Sequence, residues 1–432
     1  MNDRAAPRLI VETREIDPVE DLLLFTSADD PLAWLRRGDG MVGVGAVGGL
    51  EFGGEHVDTP VEAPTLPPMA DAWRALTADA EVDDPVGLPG TGLVGFGALV
   101  FDQRSAASSR IVIPQAIVGR RDGRAWLTRI RSAGTDLEEP SLAPVPYGPY
   151  WSGTLGPGSL GPEGYQDAVR EALAAIAAGE VGKVVLARDV VGTVPAGSDL
   201  RRLARALSTG YPDTWAYAVD GIIGASPETL VTVHRGTVTA RVLAGTAARG
   251  ADADADSAAS FALATSPKDL DEHQYAVQSV LASLRPFASA IAAAEQPFAL
   301  KLPNVWHLAT DVEADLANGA SALDLVAALH PTAAVAGTPT DAALDVIRRL
   351  EPFDRRRYAG PVGWIDGRGD GEWAIALRCA QFGAPVARRF ASYSDTIPVV
   401  AHAGAGIVAG SDPESELLET RVKFRPIVDA LA

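Results

Sequence analysis

Lys183 lies in the apolar run Gly182-Lys183-Val184-Val185-Leu186-Ala187-Arg188. In an extended chain it shares one face with Val185 and Ala187, while Val184, Leu186 and Arg188 take the other. A lysine facing a cavity loses hydration, which favours the neutral amine and suits it to general-base work. At a strand start it can instead carry its ammonium out to water. Ser226-Pro227-Glu228 sets a carboxylate just past a proline. Burial would keep it protonated as a general acid, whereas an open turn would leave it solvated. Two carboxylate pairs have helical spacing: Asp269 with Glu272, and Glu416 with Glu419, with Lys423 one turn beyond. Residues three or four apart share a helix face. Each pair alone reads as a solvated face; two such helices brought together could form an all-oxygen site for Mg²⁺. Arg378, in Ala376-Leu377-Arg378-Cys379-Ala380, is a charge in an apolar strand and needs an anion or a path to solvent. His307, in Val305-Trp306-His307-Leu308, is open to two roles, a hydrogen-bonded interior histidine or a catalyst. Glycines in Ala244-Gly245-Thr246 and His402-Ala403-Gly404-Ala405-Gly406 let backbone N–H groups approach a carboxylate.

These residues need elements to hold them. The spacing predicts a helix over Gly164 to Ala178 capped by Gly179, then a β-branched strand from Lys183 to Val194. Strands are expected at Trp215 to Val219, Gly221 to Ala225, Thr229 to His234 and Thr237 to Leu243, with tight turns at Asp220-Gly221 and Arg235-Gly236. Helices follow at Pro267 to Leu284, Ser321 to His330 and Thr340 to Leu350. Gly360 to Asp366 and Glu372 to Gln381 read as a hairpin, and a final helix starts at Ser411 or Asp412 with Pro413 in its first turn. Ala248 to Ser257 and the Pro- and Gly-rich Gly134 to Pro162 read as loops. Antiparallel meanders interrupted by helices indicate an α+β fold with a large sheet.

The 432 residues carry a formal net charge of −19, which disfavours nucleic acid as a partner and obliges an anionic substrate to meet a local cation or metal. Apolar residues make up 47%, enough for a substantial core. The single cysteine, Cys379, excludes an internal disulfide. No apolar run reaches membrane-spanning length, and the opening MNDRAAPRLIVETREIDP has no apolar leader segment, so a cytoplasmic protein with no membrane association is expected.

The order of the motifs says more than any one of them. Lys183-Val-Val-Leu-Ala-Arg, Ser226-Pro-Glu, Ala244-Gly-Thr, Asp269-Leu-Asp-Glu-His, His307-Leu, His330-Pro-Thr, Tyr358-Ala-Gly-Pro-Val-Gly-Trp, Leu377-Arg-Cys-Ala, Gly404-Ala-Gly-Ile-Val and Ser411-Asp-Pro-Glu-Ser-Glu-Leu-Leu-Glu-Thr form one series. The series resembles the chorismate-utilising enzymes over residues 160–425, with residues 1–150 as a variable N-terminal half of the same fold. The resemblance implies one chorismate-binding domain over 1–432, with two large antiparallel sheets packed together and helices outside. It implies Mg²⁺ held by Glu272 and Glu419, with Asp269 and Glu416 in support, gripping the ring carboxylate of chorismate. Arg378, Tyr358 and the N–H groups of Gly404 and Gly406 match the hold on the enolpyruvyl carboxylate. Gly245, Thr246, His307, Ala334 and Lys423 match other substrate-contacting positions.

Three positions discriminate within the resemblance. Members that use ammonia carry Gln at the place of Lys183, aminodeoxychorismate synthases often carry Lys at the place of Ala244, and salicylate synthases carry Thr at the place of Ala334. The implied reaction is that of an isochorismate synthase: Lys183 as base toward water attacking C2, and Glu228 as acid toward the departing C4 hydroxyl. A salicylate synthase, which also eliminates pyruvate, and a catalytically inert chorismate-binding module are the alternatives. No glutamine amidotransferase subunit is expected, and a monomer is the default. Isochorismate feeds menaquinone, catechol siderophores or salicylate, with menaquinone the more general need. Two departures stand out: Ala333 and Ala336 replace the family's usual Pro and Gly, and about a dozen extra residues lie between Arg378 and Gly404, assigned to Phe390 to His402.

Overall fold

The computed structural model describes residues 8–54, 66–134, 138–301, 305–317, 319–383 and 396–432; the side chains of Thr246 and Glu272 also lie outside the description. The fold is α+β. Among the described residues, thirteen strands make one sheet and ten make another, with helices on the outside. Nearly all neighbours are antiparallel; Leu9–Ile16 beside Glu81–Asp83 is a parallel pair. Each sheet takes strands from both sides of the Gly134 to Pro162 stretch, so the N-terminal part completes the sheets of the C-terminal part.

The large sheet runs from an edge at Thr154–Pro157 through Lys183–Pro195, Thr396–Ile407, Cys379–Phe382, Ile222–Ser226 and Trp215–Val219 to N-terminal strands. The smaller one runs from Ala288–Ala293 through Val305–Leu316, Thr237–Ala248, Thr229–His234 and Gly371–Ile375 to Pro361–Asp366 and Val94–Ala98. The core between them is aromatic: Trp34 and Trp126 from the large sheet, Phe96, Trp364 and Trp373 from the smaller, all fully buried. Glu372 bonds across it. Its carboxylate accepts from Trp34 Nε1 at 2.9 Å and Arg121 Nη2 at 2.9 Å on the large sheet, and from Trp364 Nε1 at 3.1 Å on its own.

The sheets meet at a paired break that the sequence did not reveal. The ribbon of Ile222–Ser226 with Cys379–Phe382 belongs to the large sheet; the ribbon of Thr229–His234 with Gly371–Ile375 belongs to the smaller. Both chains therefore change sheet at the same level, one over residues 227–228 and the other over 376–378. Ser226 ties the crossing: its hydroxyl donates to Ile375 O at 2.6 Å and accepts from Glu228 N at 3.2 Å, and Ile375 N donates to Glu228 O at 3.0 Å. Glu372 to Gln381 is thus two strands rather than one. Its break is where Arg378 takes a left-handed φ of 49° while its carbonyl accepts from Ala225 N at 3.1 Å.

Most other elements match the sequence reading. Pro162–Ala177 is a helix closed by Gly179 at φ 78°, which donates to Ile176 O. Pro267–Leu284 and Thr340–Leu350 are helical, and Pro413–Leu431 starts from Asp412, whose side chain accepts from Ser415 N. The Ala248 to Ser257 loop is corrected: Asp252 is an N-cap and Ala253–Thr265 a helix. Its alternating Asp and Ala looked solvated, but Asp caps a helix and Ala propagates one. Of the stretch assigned to extra residues, 396–402 are strand; 390–395 lie outside the described residues.

Candidate active site

Lys183 opens the strand Lys183–Pro195, which pairs residue for residue with Thr396–Ile407. Val185 lies opposite Gly406 and Ala187 opposite Gly404, so Lys183, Val185, Gly404 and Gly406 share one face. Lys183 and Val185 stay partly accessible, while Val184 and Leu186 on the other face are fully buried. The face that carries the lysine is therefore the more open one, and it is the candidate substrate cleft. A methyl group at Gly406 would stand 3.1 Å from Lys183 Cε, and one at Gly404 would stand 2.6 Å from Leu186 O. The two glycines make room for the lysine side chain and for the close strand pairing.

Glu228 and Arg378 come from the paired break. Glu228 keeps some surface open to the cleft, yet the protein around its carboxyl raises its pKa, burial outweighing the pull of Lys183, Lys423 and Arg378. Those three cations therefore lie within electrostatic reach of it. Arg378 is held below the usual arginine range by burial, against the pull of Tyr358, Glu419 and Glu228. Among the described residues its guanidinium has no hydrogen-bond or ion-pair partner, which leaves its fork for an anion. Tyr358 is buried, its pKa raised by desolvation, and its ring stacks on His402 with centroids 5.1 Å apart.

The remaining predicted residues come from a bulged strand, its neighbours and the last helix. Gly245, at φ 76°, sits in a β-bulge of Thr237–Ala248 opposite Val305–Leu316. His307 Nδ1 lies 3.4 Å from Gly245 O, and burial lowers its pKa, with Lys183 and Lys423 acting in the same direction and Glu419 opposing. A methyl group at Gly245 would stand 3.3 Å from Asp269 Cβ, so the start of helix Pro267–Leu284 packs against the bulge. On the last helix, Lys423 Nζ donates to Gly404 O at 2.8 Å and pairs with Glu419 at 2.5 Å. Glu416 has a raised pKa from burial, eased by a hydrogen bond from Ser411 and reinforced by Glu419.

Asp269 thus packs at the Gly245 bulge beside His307, while Glu416, Glu419 and Lys423 share the last helix, with Glu419 and Lys423 within electrostatic reach of His307. Thr246 and Glu272 belong to the bulged strand and the Asp269 helix, but their side chains lie outside the described residues. Among the described residues no three acidic, histidine or cysteine side chains group as a metal cage. Asp269, Glu416 and Glu419 are nonetheless oxygen donors of the kind a hard divalent cation takes, and the mutual repulsion felt at Glu416 is what a cation would relieve. Ala334 is exposed in the turn after helix Ala322–Leu329, in the segment that Thr332 O holds together by accepting from Val335 N and Ala336 N.

A family model described as chorismate binding enzyme matches residues 154–432. The chain belongs to this family. Every site residue named above falls within the matched span. The chain is 36% identical over 354 residues to isochorismate synthase DhbC of Bacillus subtilis strain 168, covering 78% of this chain and 80% of that protein. It is 33% identical over 368 residues to isochorismate synthase EntC of Escherichia coli strain K12, covering 84% and 86%. The solved structure of MenF, the menaquinone-specific isochorismate synthase from Escherichia coli, shares the fold with a TM-score of 0.74 at 24% identity over 99% of this chain and 96% of that one.

For a chorismate binding enzyme the arrangement is chemically apt. In an acidic protein, Lys183, Arg378 and Lys423 all act electrostatically on one protonatable carboxyl. Sequence reasoning missed a second set of residues. His273, one residue past Glu272, is buried and holds its helix to both strands, with Nδ1 3.1 Å from Ala244 O and Nε2 2.7 Å from Thr310 Oγ1. Glu351 and Arg355 form a buried ion pair bonded to the backbone of Ala187 and Val185, on the strand of Lys183. Their signal in the sequence was an acid and a base four apart just before Tyr358.

Proposed function

We propose that this protein is an isochorismate synthase. The observation that carries the reading is a buried carboxyl, Glu228, within electrostatic reach of Lys183, in a chain whose relatives bear that name. Neutral Lys183 takes a proton from water as the water oxygen bonds to C2 of the ring. The ring double bonds shift, the C4–O bond breaks, and protonated Glu228 gives its proton to the leaving hydroxyl. One water enters and one leaves. The two groups need opposite protonation habits, and the raised pKa of Glu228 supplies its half of that arrangement. Arg378 and Tyr358, with the N–H groups of Gly404 and Gly406, hold the enolpyruvyl carboxylate, while Gly245, Thr246, His307 and Lys423 line the rest of the cleft. Glu272 and Glu419, supported by Asp269 and Glu416, would hold Mg²⁺, which neutralises the ring carboxylate.

The test is a pair of substitutions. Lys183→Ala and Glu228→Gln should each lower the rate of isochorismate formation by at least about 100-fold, the scale of general acid–base catalysis, with circular dichroism unchanged. Near-parental turnover in either folded variant would overturn the role given to that residue.

A further inference from the structure

The strand that carries Lys183 has an incomplete second edge. One edge pairs with Thr396–Ile407 along its whole length. The other meets Gly337–Thr338 at Lys183 and Val184, with Val185 N donating to Ala336 O at 2.8 Å, and meets Thr154–Pro157 from Val190 to Thr193. Backbone groups in the gap need partners, since a buried N–H or C=O left unpaired is costly. Two side chains supply them. Glu351 Oε1 accepts from Ala187 N at 2.8 Å, and Arg355 Nη2 donates to Val185 O at 2.7 Å.

Glu351 and Arg355 are themselves joined in a two-pronged ion pair, with contacts of 2.5 and 2.8 Å and side chains 2% and 3% exposed. Arg355 Nη1 donates to Val335 O at 2.9 Å, next to Ala334, and the guanidinium lies 4.4 Å from the ring centroid of Phe101. The backbone continues the link: Tyr358 N donates to Arg355 O at 3.0 Å. One buried pair therefore ties together the strand of Lys183, the segment with Ala334 and the turn of Tyr358. Buried ion pairs seldom stabilise a fold beyond what apolar residues of the same volume would give. Stability alone is thus a poor reason for this one.

We infer that Glu351 and Arg355 are positioning residues that fix Lys183 for proton transfer by standing in for the absent strand. The inference rests on Lys183 being the base of the proposed reaction. A base displaced by an ångström loses rate in the transition state and leaves ground-state binding largely intact.

The experiment measures kcat, KM for chorismate and Tm for Arg355→Met, Arg355→Lys, Glu351→Gln and Val346→Ala. Val346 is a buried apolar residue of the preceding helix that makes no side-chain hydrogen bond, and serves as a control for lost stability. Arg355→Met should lose about 100-fold in kcat, with KM within about 3-fold of the parent. Arg355→Lys, which keeps the charge and a donor, should recover about 10-fold of that loss. Val346→Ala should lower Tm and leave kcat near parental. A folded Arg355→Met with parental kcat would overturn the inference, as would kcat losses that follow Tm across all four variants. If Arg355→Met does not fold, Glu351→Gln decides: a kcat loss at steady KM supports positioning, and parental kcat contradicts it. A parent protein that forms no isochorismate would instead contradict the proposed function, so the two failures are read separately.

Discussion

Lys183 and Glu228 illustrate how much of a site a single residue can declare. Each was legible as a residue type in an unusual setting, a lysine in an apolar strand and a carboxylate after a proline. Neither setting alone distinguished catalysis from a solvated surface, because burial is a property of the fold. The structure supplies that property for Glu228, whose pKa is raised by desolvation against the electrostatic pull of three cations. A consequence follows for stability. An unfolded glutamate ionises near 4.5, while the folded one keeps its proton to higher pH. The folded state is therefore favoured at low pH, and this contribution is lost as pH rises through the raised folded pKa. Glu228→Gln cannot ionise, so its Tm should gain on the parent's over that window and stay ahead above it, although the variant is inactive. Thermal melts across pH check this; a Tm difference independent of pH would mean that Glu228 is not held protonated. The same titration predicts that parental kcat falls as pH rises through that pKa.

At the level of elements, the central device is the double crossing of a two-stranded ribbon from one sheet to the other. It puts Glu228 and Arg378 side by side at the place where ladder pairing stops and polar side chains have room. Helices and single strands were readable from periodicity, and Pro267–Leu284 and Thr340–Leu350 match to the residue. The crossing was not readable, because Glu372 to Gln381 keeps an apolar composition on both sides of it. Which sheet a strand joins depends on partners distant in sequence. Gly406 tests how tightly the elements hold the lysine. A methyl group there would stand 3.1 Å from Lys183 Cε and 3.8 Å from Nζ, and the backbone has no positive φ to strain. Gly406→Ala should therefore push the amine aside and cut kcat by about 10-fold, with Tm little changed. Parental kcat would mean the lysine has freedom to spare.

For the whole molecule, two sheets built from both halves of the chain share one aromatic core. Glu372 binds them across it, bridging Trp34, Arg121 and Trp364. Removing that carboxylate leaves a guanidinium and two indole N–H groups without it, so Glu372→Ala should destabilise the fold by about 3 kcal/mol in urea unfolding. A change below about 0.5 kcal/mol would show that water replaces it without cost. The negative charge of the molecule was legible from composition, and so was the need for a local cation to receive an anionic substrate. Lys183, Arg378 and Lys423, all within electrostatic reach of Glu228, meet that need, with Mg²⁺ proposed at the acidic helices. The measurement that tests this most directly is chromatography of the products after the purified protein is incubated with chorismate and Mg²⁺, with a chelator in a parallel sample. Isochorismate alone is expected with Mg²⁺, and none with the chelator. Salicylate with pyruvate, or unchanged chorismate in the presence of Mg²⁺, would contradict it.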